Sequence, residues 1–200
     1  GKAARPDVVH TMCDTMVHRG PDDRGVWLKD SIGLGHRRLS IIDLSTGDQP
    51  MGTPDNAVQV VFNGEIYNFQ ELKKDLEAKG HVFRTSSDTE SILYAYLEWG
   101  LDFVQHLRGM FAIGLWDERR KTLLLARDRI GKKPLYYSLD NGRLLFGSEL
   151  KALLTVPNIP RDIDYEALNA YLSFGYVPSP KSIFKQIKKL PPGHMAVCSA

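Results

Sequence analysis

Apolar positions along this chain recur with two periods, and the elements follow from them. Val8, Val9, Met12, Cys13 and Met16 fall at three- and four-residue spacing between Pro6 and Val17, an amphipathic helix with Pro in its first turn and Cys13 on the buried stripe. Gly20-Pro21 stops it. Short β-prone pieces come next at Gly25 to Leu28, Ile32 to Gly35 and Arg38 to Ile42, separated by turn residues as in an antiparallel sheet. After a loop holding Ser45, Gly47, Asp48 and Gln49-Pro50-Met51, the β-branched run Val58 to Phe62 reads as a buried strand that breaks at Asn63-Gly64. Phe69, Leu72 and Leu76 mark a helix closed by Gly80. Ser87 with Glu90 three residues on forms a capping box, so a second helix starts near Asp88 and carries Ile92, Leu93, Tyr96 and Leu97.

Phe103 to Leu107 is a further short helix, whereas Gly109 to Trp116 is too continuously apolar for a half-exposed strand and is assigned a central one. Thr122 to Ala126 returns as its hairpin partner, and Leu135 to Leu139 turns at Asp140-Asn141-Gly142 into Arg143 to Gly147. Ser148 can cap a helix over Glu149 to Leu154, and Tyr165 to Phe174 is another, with Leu168 and Leu172 spaced for burial. Four prolines from Pro178 to Pro192 make the last stretch irregular, so residues 176–200 read as an edge leading to another domain.

Composition narrows the class. At 200 residues the chain can bury a core of useful size, and the simplest reading is one domain over 1–200. Net charge is +2 with the basic residues scattered, which lacks the electrostatic footprint of nucleic-acid binding. Cys13 and Cys198 lie near opposite ends without metal spacing, and the six histidines show no zinc pattern, so no metal site is expected and the thiols are expected free, as in the cytoplasm. No apolar run reaches the roughly 20 residues of a membrane span, and no signal peptide opens the chain.

The candidate chemistry centres on Asn63-Gly64. Two readings stand side by side: a hairpin turn, for which Asn-Gly is the strongest short signal, or a pair of donors in which the Gly64 N–H and the Asn63 amide bind an oxyanion. His36, Ser40 and Asp43 look like a triad but alternate faces on one short strand, and no Gly-x-Ser-x-Gly elbow surrounds Ser40. Gly131-Lys132-Lys133 and Gly33-Leu34-Gly35 are incomplete as nucleotide-binding loops.

Arg19-Gly20-Pro21-Asp22, Arg38-Leu39-Ser40-Ile41, Gln49-Pro50-Met51, Asn63-Gly64-Glu65-Ile66-Tyr67-Asn68, Ser87-Asp88-Thr89-Glu90 and Gly109-Met110-Phe111-Ala112, taken jointly, resemble the N-terminal glutaminase domain of glutamine-dependent asparagine synthetases. The likeness continues through Ala126-Arg127-Asp128-Arg129, Lys133-Pro134-Leu135-Tyr136, Ser148-Glu149-Leu150-Lys151 and Leu190-Pro191-Pro192-Gly193-His194. It implies an α+β N-terminal-nucleophile hydrolase fold, two antiparallel sheets packed face to face between helical layers. It also implies attack on the glutamine side-chain amide by an N-terminal cysteine whose own α-amine is the base, giving glutamate and ammonia. Asn63 and the Gly64 N–H become the oxyanion hole, Arg38 clamps the substrate carboxylate, Glu65 and Asp88 receive its ammonium, and Ile41 and Ile42 line the pocket. From the residues alone, Asp88 is equally a helix-capping carboxylate and Arg38 a surface arginine beside Arg37.

The departure is at the start, Gly1-Lys2-Ala3-Ala4-Arg5-Pro6, where the family's first strand and nucleophile should already have passed. The expectation is a shortened sequence or a misplaced start, inactive alone, and a sheet missing one strand beside the Gly109 to Trp116 region. Cys13 cannot substitute, its amine being in a peptide bond. The implied partners are glutamine and a C-terminal synthetase domain using ATP and magnesium on aspartate or a related acceptor, with room for a homodimer; no cofactor is expected in this domain. A non-catalytic glutamine-binding module is the alternative. Sugar-phosphate amidotransferases share the Asn-Gly element but fit less well, because they do not continue it with Glu65-Ile66-Tyr67-Asn68.

Overall fold

The computed structural model describes residues 3–39, 47–140 and 142–199. In chain order the elements are α1 (Pro6–Asp14), β1 (Asp23–Lys29), β2 (Ile32–Arg38), β3 (Met51–Gly52), β4 (Val58–Ile66), α2 (Phe69–Ala78), α3 (Asp88–Trp99), α4 (Phe103–His106), β5 (Gly109–Asp117), β6 (Thr122–Arg127), β7 (Tyr136–Asp140), β8 (Arg143–Gly147), α5 (Leu150–Leu154), α6 (Tyr165–Phe174), β9 (Lys188–Lys189) and β10 (Met195–Ser199). All strand pairings are antiparallel. One sheet has the order β10-β6-β5-β4-β3; β1-β2 and β8-β7-β9 form two smaller pieces.

Alternation along β4 and β5 sorts the layers. Val58, Val60, Phe62, Phe111, Ile113 and Leu115 point to one face of the five-stranded sheet, where α2, α3 and α4 cover them with Leu72, Leu76, Ile92, Leu93 and Phe103. Val61 and Trp116 point to the other, against Leu34 and Trp27 from the β1-β2 hairpin and Phe146 from β8. Both small pieces therefore lie on the same face of the large sheet. Beyond them, Met12 of α1 and Met16 in the turn that follows it pack with Ala152 and Leu153 of α5 over Tyr136 and Leu145. The result is helices, sheet, sheet, helices, with the second sheet in two parts.

Several expectations are corrected. The segment at Asn63-Gly64 neither breaks nor turns: β4 runs straight through, with Asn63 opposite Ala112 and Gly64 opposite Phe111. Glycine is required at 64 for close approach, since a Cβ there would meet the Met110 carbonyl oxygen at 2.0 Å. Gly109 to Trp116 is central, as its composition predicts, but β5 is paired on both sides and borders no gap. Among the described residues, the strand edges that border the gap are those of β2 and β8 instead. Ser87 accepts from the Thr89 N–H at 3.3 Å, while the Glu90 carboxylate turns back to the Arg84 and Thr85 N–H groups rather than completing a capping box. Glu149, not Ser148, precedes α5. The proline-rich tail contributes β10 to the main sheet. Leu172, expected to be buried on α6, is 75% exposed, although Ala167 of the same helix is fully buried.

Candidate active site

A cavity of about 730 Å³ lies where the second sheet is divided. Its sides are the free edges of β2, with Gly33, Gly35 and His36, and of β8, with Leu144 and Phe146. Val61, Gly114 and Leu123 form the floor, and Val9, Met12 and Cys13 of α1 the roof. Backbone N–H and C=O groups on both sides with apolar surfaces above and below are what an extended peptide requires. Because β2 has seven residues and β8 five, a segment of similar length could pair with both.

The mouth of this cavity gathers the polar residues. Alternation puts Asn63 and Glu65 on the cavity face of β4 with Val61, and the Asn63 amide reaches across the gap to the Ser148 hydroxyl at 3.4 Å. Arg38, Gly64 and Asp88 border the same space. Arg38 is no surface residue: it is 7% exposed, and its Nη1 donates to the exposed Asp48 carboxylate at 2.8 Å. Asp88, in the first turn of α3, accepts the Ile66 N–H at 2.9 Å, so it fastens the end of β4 besides facing the site. Burial raises its pKa and nearby Glu65 adds to the rise, against the backbone N–H bonds of Ile66 and Thr89. Ile41 and Ile42, together with Ser40 and Asp43, lie outside the described residues.

Further groups border or brace the site. Glu149 accepts from His18 at 2.9 Å and Arg19 at 3.0 Å, tying the segment after α1 to the turn between β8 and α5. His36 donates through Nε2 to the Phe62 carbonyl at 3.1 Å, the tautomer that an acceptor partner requires. Burial drives its pKa down to about 4, so it is neutral and suited to fixing backbone rather than to proton transfer. Cys13 is buried in the roof, and burial, with Asp14 nearby, pushes its thiol up to about 11, the opposite of an activated nucleophile. No group of three or more potential metal ligands occurs among the described residues.

A family profile described as a glutamine amidotransferase domain matches residues 1–200. The chain belongs to the glutamine amidotransferase domain family. Among curated relatives of this amidotransferase domain, asparagine synthetase [glutamine-hydrolyzing] 3 of Bacillus subtilis is 43% identical over 186 residues, covering 92% of this chain and 30% of the relative. Asparagine synthetase [glutamine-hydrolyzing] 1 of the same organism is 44% identical over 191 residues, covering 96% and 30%. A putative asparagine synthetase [glutamine-hydrolyzing] 2 of Methanocaldococcus jannaschii is 39% identical over 211 residues, with 95% and 40% covered. The chain thus spans about a third of the length of these relatives. Among solved structures, a glutamine phosphoribosylpyrophosphate amidotransferase from B. subtilis superposes with TM-score 0.66 at 21% identity, over 76% of this chain and 41% of that one. The allosteric regulatory enzyme of purine biosynthesis gives 0.70 at 19% identity, over 98% and 45%. These likenesses establish the N-terminal-nucleophile type of fold for the amidotransferase domain, with its two antiparallel sheets between helical layers.

Proposed function

We propose that this domain hydrolyses glutamine to glutamate and ammonia, with the nucleophilic thiolate carried into the cavity on an extended segment seated between β2 and β8. The single observation behind this reading is the divided sheet, whose strand-shaped gap ends at Asn63 and Gly64. A terminal cysteine placed there supplies thiol and α-amine with matched pKa values of about 8.5 and 8. Attack on the substrate amide puts negative charge on its oxygen, and the Asn63 amide with the Gly64 N–H receives it; one such donor is worth about 3 kcal/mol. The protonated amine then gives its proton to departing ammonia, and water resolves the thioester.

Arg38 binds the substrate α-carboxylate, which would share or take the place of Asp48 on a guanidinium able to donate two parallel bonds. Glu65 and Asp88 hold the α-ammonium, and Ile41 and Ile42 complete the pocket. A module that only bound glutamine would have no use for two donors directed at a developing oxyanion. Residues 1–200 act within a longer cytoplasmic protein whose further domain uses ATP and magnesium to activate aspartate or a related acceptor for the ammonia.

The full-length protein tests this. It should release glutamate from glutamine, lose that activity on thiol alkylation, and lose about a hundredfold in kcat with little change in KM on Asn63→Ala. Undiminished hydrolysis after alkylation would rule out the thiolate mechanism, and an unaffected Asn63→Ala variant would remove the oxyanion hole.

A further inference from the structure

The outer edge of β4 is covered by an unusual sequence of partners. Beside it, β3 is only two residues long and pairs with Val60 and Gln59, so the ladder stops before the oxyanion segment. In an extended strand the N–H and C=O of alternate residues point to the same edge. The Val58 carbonyl accepts from Thr53 on this edge, which places the backbone groups of Val58, Val60, Phe62, Gly64 and Ile66 there together.

Past β3, side chains take over. The Phe62 N–H donates to the Gln49 side-chain oxygen at 2.6 Å, and the Phe62 carbonyl accepts from His36 at 3.1 Å. The Ile66 N–H is taken by Asp88 at 2.9 Å. Gln49 is itself oriented by its other end, where Nε2 donates to the Thr89 hydroxyl at 3.3 Å in the same first turn of α3 that carries Asp88. Among the described residues no side chain takes the N–H of Gly64, which lies between these two fastened positions.

We infer that Gln49 is a positioning residue for the oxyanion hole: its side chain replaces the missing rung of β3, holding Phe62 so that the next outward N–H, that of Gly64, is left aimed at the substrate oxygen. This rests on the amidotransferase reading above and adds to it a residue that borders the cavity but acts through the Phe62 backbone, both ends of its amide being engaged within the protein. A backbone strand continued past Met51 would have paired with Gly64 as well and consumed the donor. A side chain satisfies one rung and stops. With a polar end on α3, it also ties the donor to the helix whose Asp88 faces the substrate.

Two variants isolate the bond in the full-length protein. Gln49→Met keeps length and removes the acceptor; Gln49→Glu keeps an acceptor oxygen for Phe62, and the Thr89 hydroxyl can donate to it. Misplacing one donor should cost kcat about tenfold or more in Gln49→Met with KM within about threefold, while Gln49→Glu stays within about threefold of wild type. If Gln49→Met does not accumulate in folded form, Gln49→Asn, one methylene too short to reach, serves for it. Independently of hydrolysis, the Phe62 amide should be protected from hydrogen exchange in wild type and Gln49→Glu and exchange faster in Gln49→Met. Unchanged kcat in Gln49→Met, or equal losses in both variants accompanied by equal falls in melting temperature, would overturn the role. So would a Phe62 amide indifferent to the substitution. A wild-type protein that does not hydrolyse glutamine but shows the exchange pattern would instead count against the amidotransferase reaction, leaving the Gln49 brace in place.

Discussion

Asp128 offers the sharpest test of how the loop behind the site is held. It is fully buried at the end of β6, and its two oxygens accept four backbone N–H groups: Oδ1 those of Ile130 and Lys132 at 3.3 and 2.9 Å, Oδ2 those of Phe111 and Lys133 at 3.2 and 3.0 Å. Asp128→Asn preserves shape but turns one oxygen into a donor, whichever way the amide is placed. Two N–H groups then lose their acceptor, at about 1–3 kcal/mol each, so the domain should lose about 2–6 kcal/mol. For a chain of this size that is a fall of roughly 5–20 °C in melting temperature. Because Phe111 is the cross-strand partner of Gly64, the loosening reaches the oxyanion segment.

The pH dependence has a definite sign. Burial alone would raise the Asp128 pKa, but the N–H groups of Lys133, Lys132, Phe111 and Ile130 outweigh it and hold the carboxyl below its usual value. A depressed folded pKa gives stability that is complete above the unfolded value of about 3.9 and lost as pH falls through the folded one. The gap between wild type and Asp128→Asn, measured by urea denaturation, should therefore be constant near neutrality and narrow only on strong acidification. Taking the difference between the two proteins cancels carboxylates common to both, such as Glu118, lowered to about 2 by Lys121 and the Trp116 indole. A melting temperature within about 2 °C of wild type would show that the carboxylate does not hold this loop.

Two further outcomes rest on burial. Iodoacetamide at pH 8 should modify Cys198, on the partly exposed edge strand, well before Cys13, whose thiol is buried and raised to about 11; peptide mapping that finds Cys13 modified first would mean the roof over the cavity is open. Leu172→Ser should leave the melting temperature of residues 1–200 within about 2 °C, because its side chain packs on little here, whereas a larger fall would place it in this domain's own core.

Much of this molecule is legible in local pattern. The three-and-four spacing gives α1, α2 and α3; Arg143 to Gly147 and Tyr165 to Phe174 coincide with β8 and α6; and the unbroken apolar run of β5 marks a strand covered on both faces. Those features depend on which residues are neighbours along a few turns or rungs. Arg38, Asn63, Gly64, Glu65 and Asp88, which the motif pattern groups together, all border one cavity.

Pairing partners were beyond its reach. That the gap is bordered by β2 and β8 rather than by β5 depends on contacts between residues far apart in the chain, and strand periodicity carries the same signal whichever neighbour a strand acquires. Asn63-Gly64 reads locally as a turn, yet it lies within a strand, because nine consecutive pairings with β5 outweigh the preference of one dipeptide. Leu172 shows the converse: its spacing is that of a buried stripe, and only the tertiary structure shows that it is 75% exposed among the described residues. Gln49 had no readable function at all, since an amide acquires one only when folding brings an unpaired backbone N–H within 2.6 Å of it.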